Sequence, residues 1–142
     1  MKVIDQGGER AKRLIVSAAR VRKIARAALA AEGITSGELS VLVTRDAGIR
    51  ELNARYRGKD AATNVLSFPQ GDPRKGGLLG DIAISVDYVD KQGKETGSGF
   101  AYTFAYYLVH GVLHLLGHDH HEKNEARRMY RRTEKILRDM GE

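Results

Sequence analysis

The spacing of apolar and polar residues changes along the chain and predicts a mixture of helices and strands. Between Glu9 and Ala31 the apolar positions recur at the spacing of one face of an α-helix. Gly33 follows, and a glycine just beyond a periodic run favours termination of the helix. The pattern therefore predicts one first helix over residues 9–31, whose apolar face comprises Leu14, Ala18, Val21, Ala25 and Ala28.

Four short segments have the composition of β-strands. β-branched and apolar residues dominate residues 39–43 (LSVLV) and 64–68 (NVLSF), and the apolar pair at 3–4 indicates a short edge strand. Residues 79–85 (LGDIAIS) alternate in polarity, which predicts a strand buried on one face. Glycines and a proline in residues 70–77 (QGDPRKGG) predict a hairpin loop or flap before that strand.

Helical spacing returns in the second half of the chain and defines the fold class. It predicts helices over residues 44–55, 86–94, 98–116 and 121–140. We therefore predict an α+β fold, in which a single layer of small, four-stranded mixed sheet packs against about five helices, with a histidine-bearing helix at the centre. The chain of 142 residues has the usual size of one domain and no visible repeat or linker, so we expect residues 1–142 to form a single domain.

Composition narrows the classes of function. The net charge of +6 favours a polyanionic partner such as nucleic acid, although a merely basic solvated surface would carry the same charge. The absence of cysteine excludes disulfides and thiolate metal sites, so a transition metal would be held by His, Asp or Glu. No segment has the length of apolar sequence that spans a membrane, and no secretory signal is visible. We expect a cytoplasmic protein without a membrane partner.

The histidines are concentrated in one string, HGVLHLLGHDHH, at residues 110–121. His110 and His114 are four residues apart, on the same face of the predicted helix. Gly117 can adopt a left-handed conformation that ends the helix and turns the chain back, which would bring His120 beside the other two. Three imidazoles with a fourth position open to water are typical of catalytic zinc sites. We therefore predict one Zn²⁺ per chain, although imidazoles also accept nickel, copper or iron.

The ligand spacing H-x-x-x-H-x-x-G-x-x-H is also that of the metzincin proteases, with one difference. In those proteases a glutamate follows the first histidine and acts as the general base, whereas this chain has Gly111. The motif therefore supports metal binding more than proteolysis. His118 and His121 do not fit the ligand spacing and are expected at the surface, while Asp119 is either a hydrogen-bond partner of a ligand or the start of the next helix.

Three blocks of sequence resemble the YbeY endoribonucleases, a family of bacterial rRNA maturation factors. These blocks are LNARYRGKDAATNVLSFP (52–69), LLGDIAIS (78–85) and HGVLHLLGHDH (110–120). The resemblance extends from about residue 38 to the C-terminus. It implies a metal-dependent endoribonuclease of single-stranded RNA, acting in 16S rRNA 3′-end maturation, ribosome biogenesis and ribosome quality control with the small ribosomal subunit as partner. It also assigns the metal to His110, His114 and His120, and a functional role to Arg57 of the block YRGKD.

A chemistry for RNA cleavage follows from these residues. A cation held by three neutral imidazoles lowers the pKa of bound water to about 7, so the missing glutamate is not required. Arg57 is the candidate for stabilising charge on the phosphoryl oxygens, and Arg55 and Lys59 for binding the RNA backbone. Without the resemblance, Arg57 would be read as a member of a surface salt bridge. Ser67 either shapes the cleft or faces solvent from its strand.

Two further groups have alternative interpretations. Tyr102, Tyr106 and Tyr107 precede the histidines and either stack on bases or, as is commoner on such a helix, pack inside the protein. A basic set in the last helix is either an RNA footprint or an exposed face with i,i+4 ion pairs; it comprises Arg127, Arg128, Arg131, Arg132, Lys135 and Arg138.

Two other functions compete with the endoribonuclease. One is a zinc hydrolase of another substrate, such as a peptidase whose base comes from elsewhere in the chain. The other is a non-catalytic ribosome-assembly factor that a metal only stabilises.

Overall fold

The computed structural model describes residues 1–118 and 122–142, which contain four strands and six α-helices. The strands are β1 (Lys2–Asp5), β2 (Glu38–Thr44), β3 (Val65–Pro69) and β4 (Leu78–Ser85). The helices are α1 (Gly8–Arg13), α2 (Ala18–Ala31), α3 (Asp46–Arg57), α4 (Val86–Thr96), α5 (Phe100–Leu115) and α6 (Lys123–Asp139). A 3₁₀ turn at Pro73–Lys75 lies between β3 and β4.

The strands form one mixed sheet in the order β1-β2-β4-β3. β1 and β2 are parallel, β2 and β4 are parallel, and β3 runs antiparallel to β4. The hairpin predicted at residues 70–77 therefore joins β3 to β4, and the N-terminal pair at 3–4 forms an edge strand as predicted. The α+β class and the four-stranded mixed sheet are confirmed.

The sheet separates two apolar cores. On one face Val41, Val43, Ile82 and Ile84 pack with the buried residues of α2, α5 and α6. On the other face a smaller core forms around Ile49 of α3 and includes Leu66 of β3 and Ala83 of β4. α5 contacts α2, α4, α6, β3 and β4, so the helix predicted at the centre of the fold is central.

The prediction of one helix over residues 9–31 was wrong. α1 ends before Ile15, whose φ of 59° lies in the left-handed region. α2 begins anew at Ser17, whose side chain accepts a hydrogen bond from the backbone N–H of Arg20. The described residues therefore contain six α-helices rather than about five. The apolar spacing continues across the break, but the chain starts a new helix at the capping serine.

The prediction that β4 is buried on one face was also wrong. Ile82 and Ile84 face the larger core, and Ala83 between them faces the smaller one. β4 is paired on both edges and covered on both sides, because the strand order places it inside the sheet between β2 and β3. The alternation in its sequence reflects side chains of different size rather than a solvent-exposed face.

Candidate active site

One strip of side chains along α5 is partly exposed. The helix residues beside the strip, such as Val109, Val112 and Leu113, are fully buried. The strip itself follows the four-residue spacing that places side chains above one another on a helix. Its members are Tyr102, Tyr106, His110 and His114, each of intermediate exposure, and we call it the histidine strip. The two predicted ligands on α5 are therefore one helical turn apart on the side of the helix that solvent reaches.

α5 ends as the sequence predicted. Gly117 has a φ of 103°, a conformation that a residue with a side chain rarely adopts. Its N–H donates to the carbonyl oxygen of His114 at 3.1 Å, and the N–H of His118 donates to that of Leu113 at 3.0 Å. This pair of hydrogen bonds closes the helix with a Schellman motif and turns the chain away from the helix axis.

The helix end also orients the ring of His114. Its Nδ1 lies 3.0 Å from the backbone carbonyl oxygen of His118. A carbonyl oxygen only accepts, so Nδ1 carries the proton and the lone pair of the neutral ring lies on Nε2. Metal-binding histidines usually donate their other ring N–H to a carbonyl or carboxylate in this way. The residues present therefore fit a zinc ion in donor chemistry and in the tautomer of His114.

The third predicted ligand, His120, lies outside the described residues, as do Asp119 and His121. Within residues 1–118 and 122–142, no group of three or more His, Cys, Asp or Glu is placed to hold a metal ion. The structure thus places two of the three predicted ligands together on α5, and the complete triad remains a prediction.

His118, which does not fit the ligand spacing, is part of a polar cluster. Its Nε2 contacts the carboxylate of Glu32, which follows α2. Arg132 of α6 donates to the other oxygen of that carboxylate at 3.0 and 3.2 Å, and also to the carbonyl oxygen of Ala31. The side chain of His118 is only 34% exposed and that of Glu32 only 16%. The cluster ties the end of α5 to α2 and α6, on the N-terminal side of residues 119–121.

Arg57 is connected to α5 through Ser67 of β3. Its Nη2 donates to the carbonyl oxygen of Ser67 at 2.6 Å, and its guanidinium carbon lies 5.5 Å from the ring centroid of Phe68. The hydroxyl of Ser67 donates to the carbonyl oxygen of Gly111 at 2.8 Å. Arg57 is thereby held on the strand that packs against the helix turn of His110. Ser67 is buried, so the alternative that it faces solvent was wrong.

Arg55 and Lys59, the predicted RNA contacts, are each two residues from Arg57 along the chain, and both are exposed. Arg55 donates to Glu51 across one turn of α3 at 3.2 Å. Lys59 follows the left-handed Gly58 that ends α3. Exposed ion pairs contribute little to stability, so the side chain of Arg55 can leave Glu51 at small cost.

The glycine that replaces the protease glutamate faces the sheet. A Cβ atom at Gly111 would lie 3.0 Å from Cγ2 of Val65 and 3.3 Å from Cγ2 of Ile82. Close packing of α5 on β3 and β4 therefore requires a very small residue here. A glutamate at position 111 would be directed into this packed interface, which argues against the peptidase mechanism.

The tyrosines of α5 are arranged around a pocket beside the histidines. The rings of Tyr106 and His110 are nearly parallel, with an interplanar angle of 18° and centroids 6.2 Å apart. Tyr106 also lies 5.2 Å from Tyr107 and 6.2 Å from Tyr130 of α6, centroid to centroid. Burial, with the neighbouring tyrosines, raises the pKa of Tyr106 to about 12, so its hydroxyl stays protonated at neutral pH.

The basic set of α6 divides into two groups. Arg132 is bound to Glu32, and Lys135 pairs with Asp139 one turn away at 2.8 Å. The other four side chains are exposed; they are Arg127, Arg128, Arg131 and Arg138. The interpretation as i,i+4 ion pairs is therefore confirmed for Lys135, and the RNA footprint stays a prediction for the four exposed arginines.

Comparisons with known proteins identify the family of this chain. A sequence model of the family described as Endoribonuclease YbeY matches residues 8–141. The chain belongs to the YbeY endoribonuclease family. The match begins in α1, so the family relation covers the N-terminal helices as well as the blocks from residue 38 onward.

Named YbeY endoribonucleases are similar to this chain over most of its length. The relative from an Anaeromyxobacter species is 44% identical over 126 residues, which are 88% of this chain and 66% of that protein. The relative from Carboxydothermus hydrogenoformans is 45% identical over 106 residues, 75% of this chain and 74% of that protein. The predicted family is confirmed, and with it the enzyme class of a hydrolytic endoribonuclease, for which RNA is the substrate.

A solved structure supports the fold alone. The solution structure of a protein from Thermotoga maritima covers 98% of this chain and 90% of its own, with a TM-score of 0.59 and 22% sequence identity.

None of the helices in the described ranges has the length and hydropathy needed to span a membrane.

Proposed function

We propose that this YbeY family member is a zinc-dependent endoribonuclease that cuts single-stranded RNA at the histidine strip of α5. The observation that carries the proposal is the pair His110 and His114 on the partly exposed side of α5, with the ring of His114 oriented by the carbonyl oxygen of His118. His120 would supply the third ligand. One zinc ion held by three imidazoles keeps its full positive charge and would supply electrophilic activation of water and of a phosphoryl oxygen.

Arg57 is proposed to bind and stabilise the phosphodiester during cleavage. A guanidinium has five N–H donors, and the bond to the carbonyl oxygen of Ser67 occupies Nη2, which leaves other donors for phosphate oxygens. Because Ser67 also holds the carbonyl oxygen of Gly111, the same strand residue positions the arginine and the helix turn of His110. Donors fixed before the reaction stabilise developing charge without reorganising. Arg55 and Lys59 would bind neighbouring phosphates.

The finer biological role is a proposal from family membership. It comprises maturation of the 16S rRNA 3′ end and quality control of ribosomes, in the cytoplasm and together with the small ribosomal subunit. The exposed arginines of α6 and the net charge of +6 support a polyanionic partner such as rRNA.

Cleavage of a labelled single-stranded RNA by zinc-loaded protein tests the proposal. We expect His114→Ala to abolish cleavage. Arg57→Ala should lower kcat/KM by about 100-fold or more, the usual cost of losing one charge-stabilising donor. Arg57→Lys should recover little, because an ammonium lacks the planar fork of donors. Arg13→Ala removes an equal charge from the exposed side of α1 and should cleave like wild type.

The same variants separate the enzyme from the non-catalytic assembly factor. If the metal only stabilised the protein, His114→Ala would unfold it, which circular dichroism would detect, and Arg57→Ala would have no effect on RNA. Equal cleavage by wild type, His114→Ala and Arg57→Ala would attribute the activity to a contaminant and contradict the proposal.

A further inference from the structure

The pocket beside the histidine strip carries an inference that rests on the proposed function and deepens it. It has a volume of about 310 Å³ and lies between α4, α5 and α6. Its aromatic lining consists of Tyr102, Tyr106, Tyr107 and Tyr130. This volume is at the lower end of the range for small-ligand pockets, which suits one flat group rather than an extended chain.

One residue, Tyr106, links the pocket to the predicted metal ligands. Tyr106 lines it and lies one helical turn before His110, with their rings nearly parallel at 18°. Tyr130, on α6, completes the opposite side and is 54% exposed. Its ring is therefore accessible to a stacking partner that approaches from solvent.

Charge in the pocket indicates which part of a nucleotide it accepts. The polar lining includes the carboxylates of Glu95 and Glu134 and the amide of Gln92. A hydrogen bond to Glu134 raises the pKa of the Tyr130 hydroxyl, which places that carboxylate beside the ring. Carboxylates repel a phosphate but accept hydrogen bonds from exocyclic amino groups. The lining therefore suits a base edge rather than the backbone.

We infer that this tyrosine pocket is a base subsite, in which a nucleobase bearing an exocyclic amino group stacks on the exposed ring of Tyr130 next to the scissile position. Stacking on aromatic side chains contributes substantially for every base. The carboxylates add a preference for cytosine or a purine over uracil. The subsite gives this enzyme a preference for the base beside the cut, while phosphate binding is left to Arg57 and its neighbours.

Binding of hydrolysis-resistant hexanucleotides to zinc-loaded protein, measured by fluorescence anisotropy, tests the subsite. The probes are hexacytidylate and hexauridylate with 2′-O-methyl sugars and phosphorothioate linkages. They differ only in the hydrogen-bonding edge of the base, where cytosine has an exocyclic amino group and uracil a carbonyl oxygen. We expect hexacytidylate to bind more tightly. Tyr130→Leu should raise its Kd about tenfold by removing the ring, whereas Tyr130→Phe should change it less than twofold. Glu134→Met should bring the two affinities together. Circular dichroism confirms that each variant is folded.

Two results would overturn the subsite. These are a Kd for Tyr130→Leu within twofold of wild type, or equal affinities of wild type for the two hexamers. Cleavage of ordinary RNA, followed in parallel, distinguishes this failure from failure of the proposed function. Protein that cuts RNA but ignores Tyr130 retains the proposed function and lacks the subsite. Protein that binds as expected but does not cut retains the subsite and lacks the nuclease activity.

Discussion

Gly111 shows how one residue separates this chain from the proteases that share its histidine spacing. Its missing side chain allows α5 to approach Val65 and Ile82 of the sheet, and its carbonyl oxygen accepts the hydroxyl of Ser67. Gly111 therefore contributes both to the packing of α5 on the sheet and to the hydrogen bond that positions Ser67. A larger residue at this position would disturb both the core and the strand that holds Arg57.

We predict that Gly111→Ala lowers the free energy of unfolding by about 1 kcal/mol. Overpacking at a contact of this kind costs about 1–3 kcal/mol, and the better helix propensity of alanine offsets about 1 kcal/mol of it. Urea denaturation measures the change. The control is Val65→Ala, which removes the methyl group that the new Cβ would meet at 3.0 Å. In that background Gly111→Ala should cost less; an equal cost in both backgrounds would show that this contact is not responsible.

At the scale of residues, the sequence predicted the histidines but not the long-range contacts around them. The spacing of His110 and His114 with Gly117 predicted their shared face and the turn after them. The contact of Ser67 with Gly111 spans 44 residues and that of Glu32 with His118 spans 86. Such long-range pairs leave no local periodicity. The inclusion of Ser67 in the block that resembles the family was the one available signal.

At the scale of elements, strands and hairpin were predictable because their signals are local. The break between α1 and α2 was missed, since Leu14 and Ala18 keep the helical spacing of apolar residues on either side of it. A serine followed by a helical repeat is an N-cap signal, and it was present inside the predicted helix. The double burial of β4 was not predictable from its own sequence, because it depends on the strand order of the whole sheet.

Asp87 joins three helices and gives the fold a predictable dependence on pH. Its carboxylate lies in the first turn of α4 and accepts hydrogen bonds from Arg45 at 3.0 Å and from the N–H of Asp46 at 3.1 Å. Arg10 of α1 lies 3.5 Å away. Burial acts to raise the pKa of Asp87, but these hydrogen bonds and the charges of Arg45 and Arg10 outweigh it and lower the pKa below its usual 3.8.

We predict that Asp87→Asn destabilises the protein by about 1.5–3 kcal/mol at pH 7, the usual contribution of hydrogen bonds to a charged group. A carboxyl whose pKa is lowered by folding stabilises the protein above its unfolded pKa and loses that contribution as pH falls through the folded pKa. The difference between wild type and variant should therefore shrink below pH 3.8. Urea denaturation at pH 7 and pH 3 measures it. Asp139→Asn, which removes the exposed pair on α6, should have a smaller effect.

A difference between wild type and Asp87→Asn that is the same at both pH values would contradict this account. It would attribute the effect of the substitution to packing rather than to charge.

At the scale of the whole molecule, the sheet and α5 bring distant parts of the chain to one site. α3 and β3 supply Arg57 and its anchor, α5 supplies the histidine strip, and α6 closes the tyrosine pocket. The α+β class was predictable from the pattern of periods. The pocket was not, because Tyr130 reaches Tyr106 only through the packing of α6 on α5.

Titration of metal-stripped protein with zinc, with binding and RNA cleavage followed in the same samples, tests the central claim most directly. We expect cleavage to rise in proportion to bound zinc and to level off at one ion per chain, with no rise for folded His114→Ala. Metal-stripped protein that cleaves RNA as fast as the zinc-loaded protein, or zinc that binds at one equivalent without any cleavage, would contradict a zinc-dependent endoribonuclease at this site.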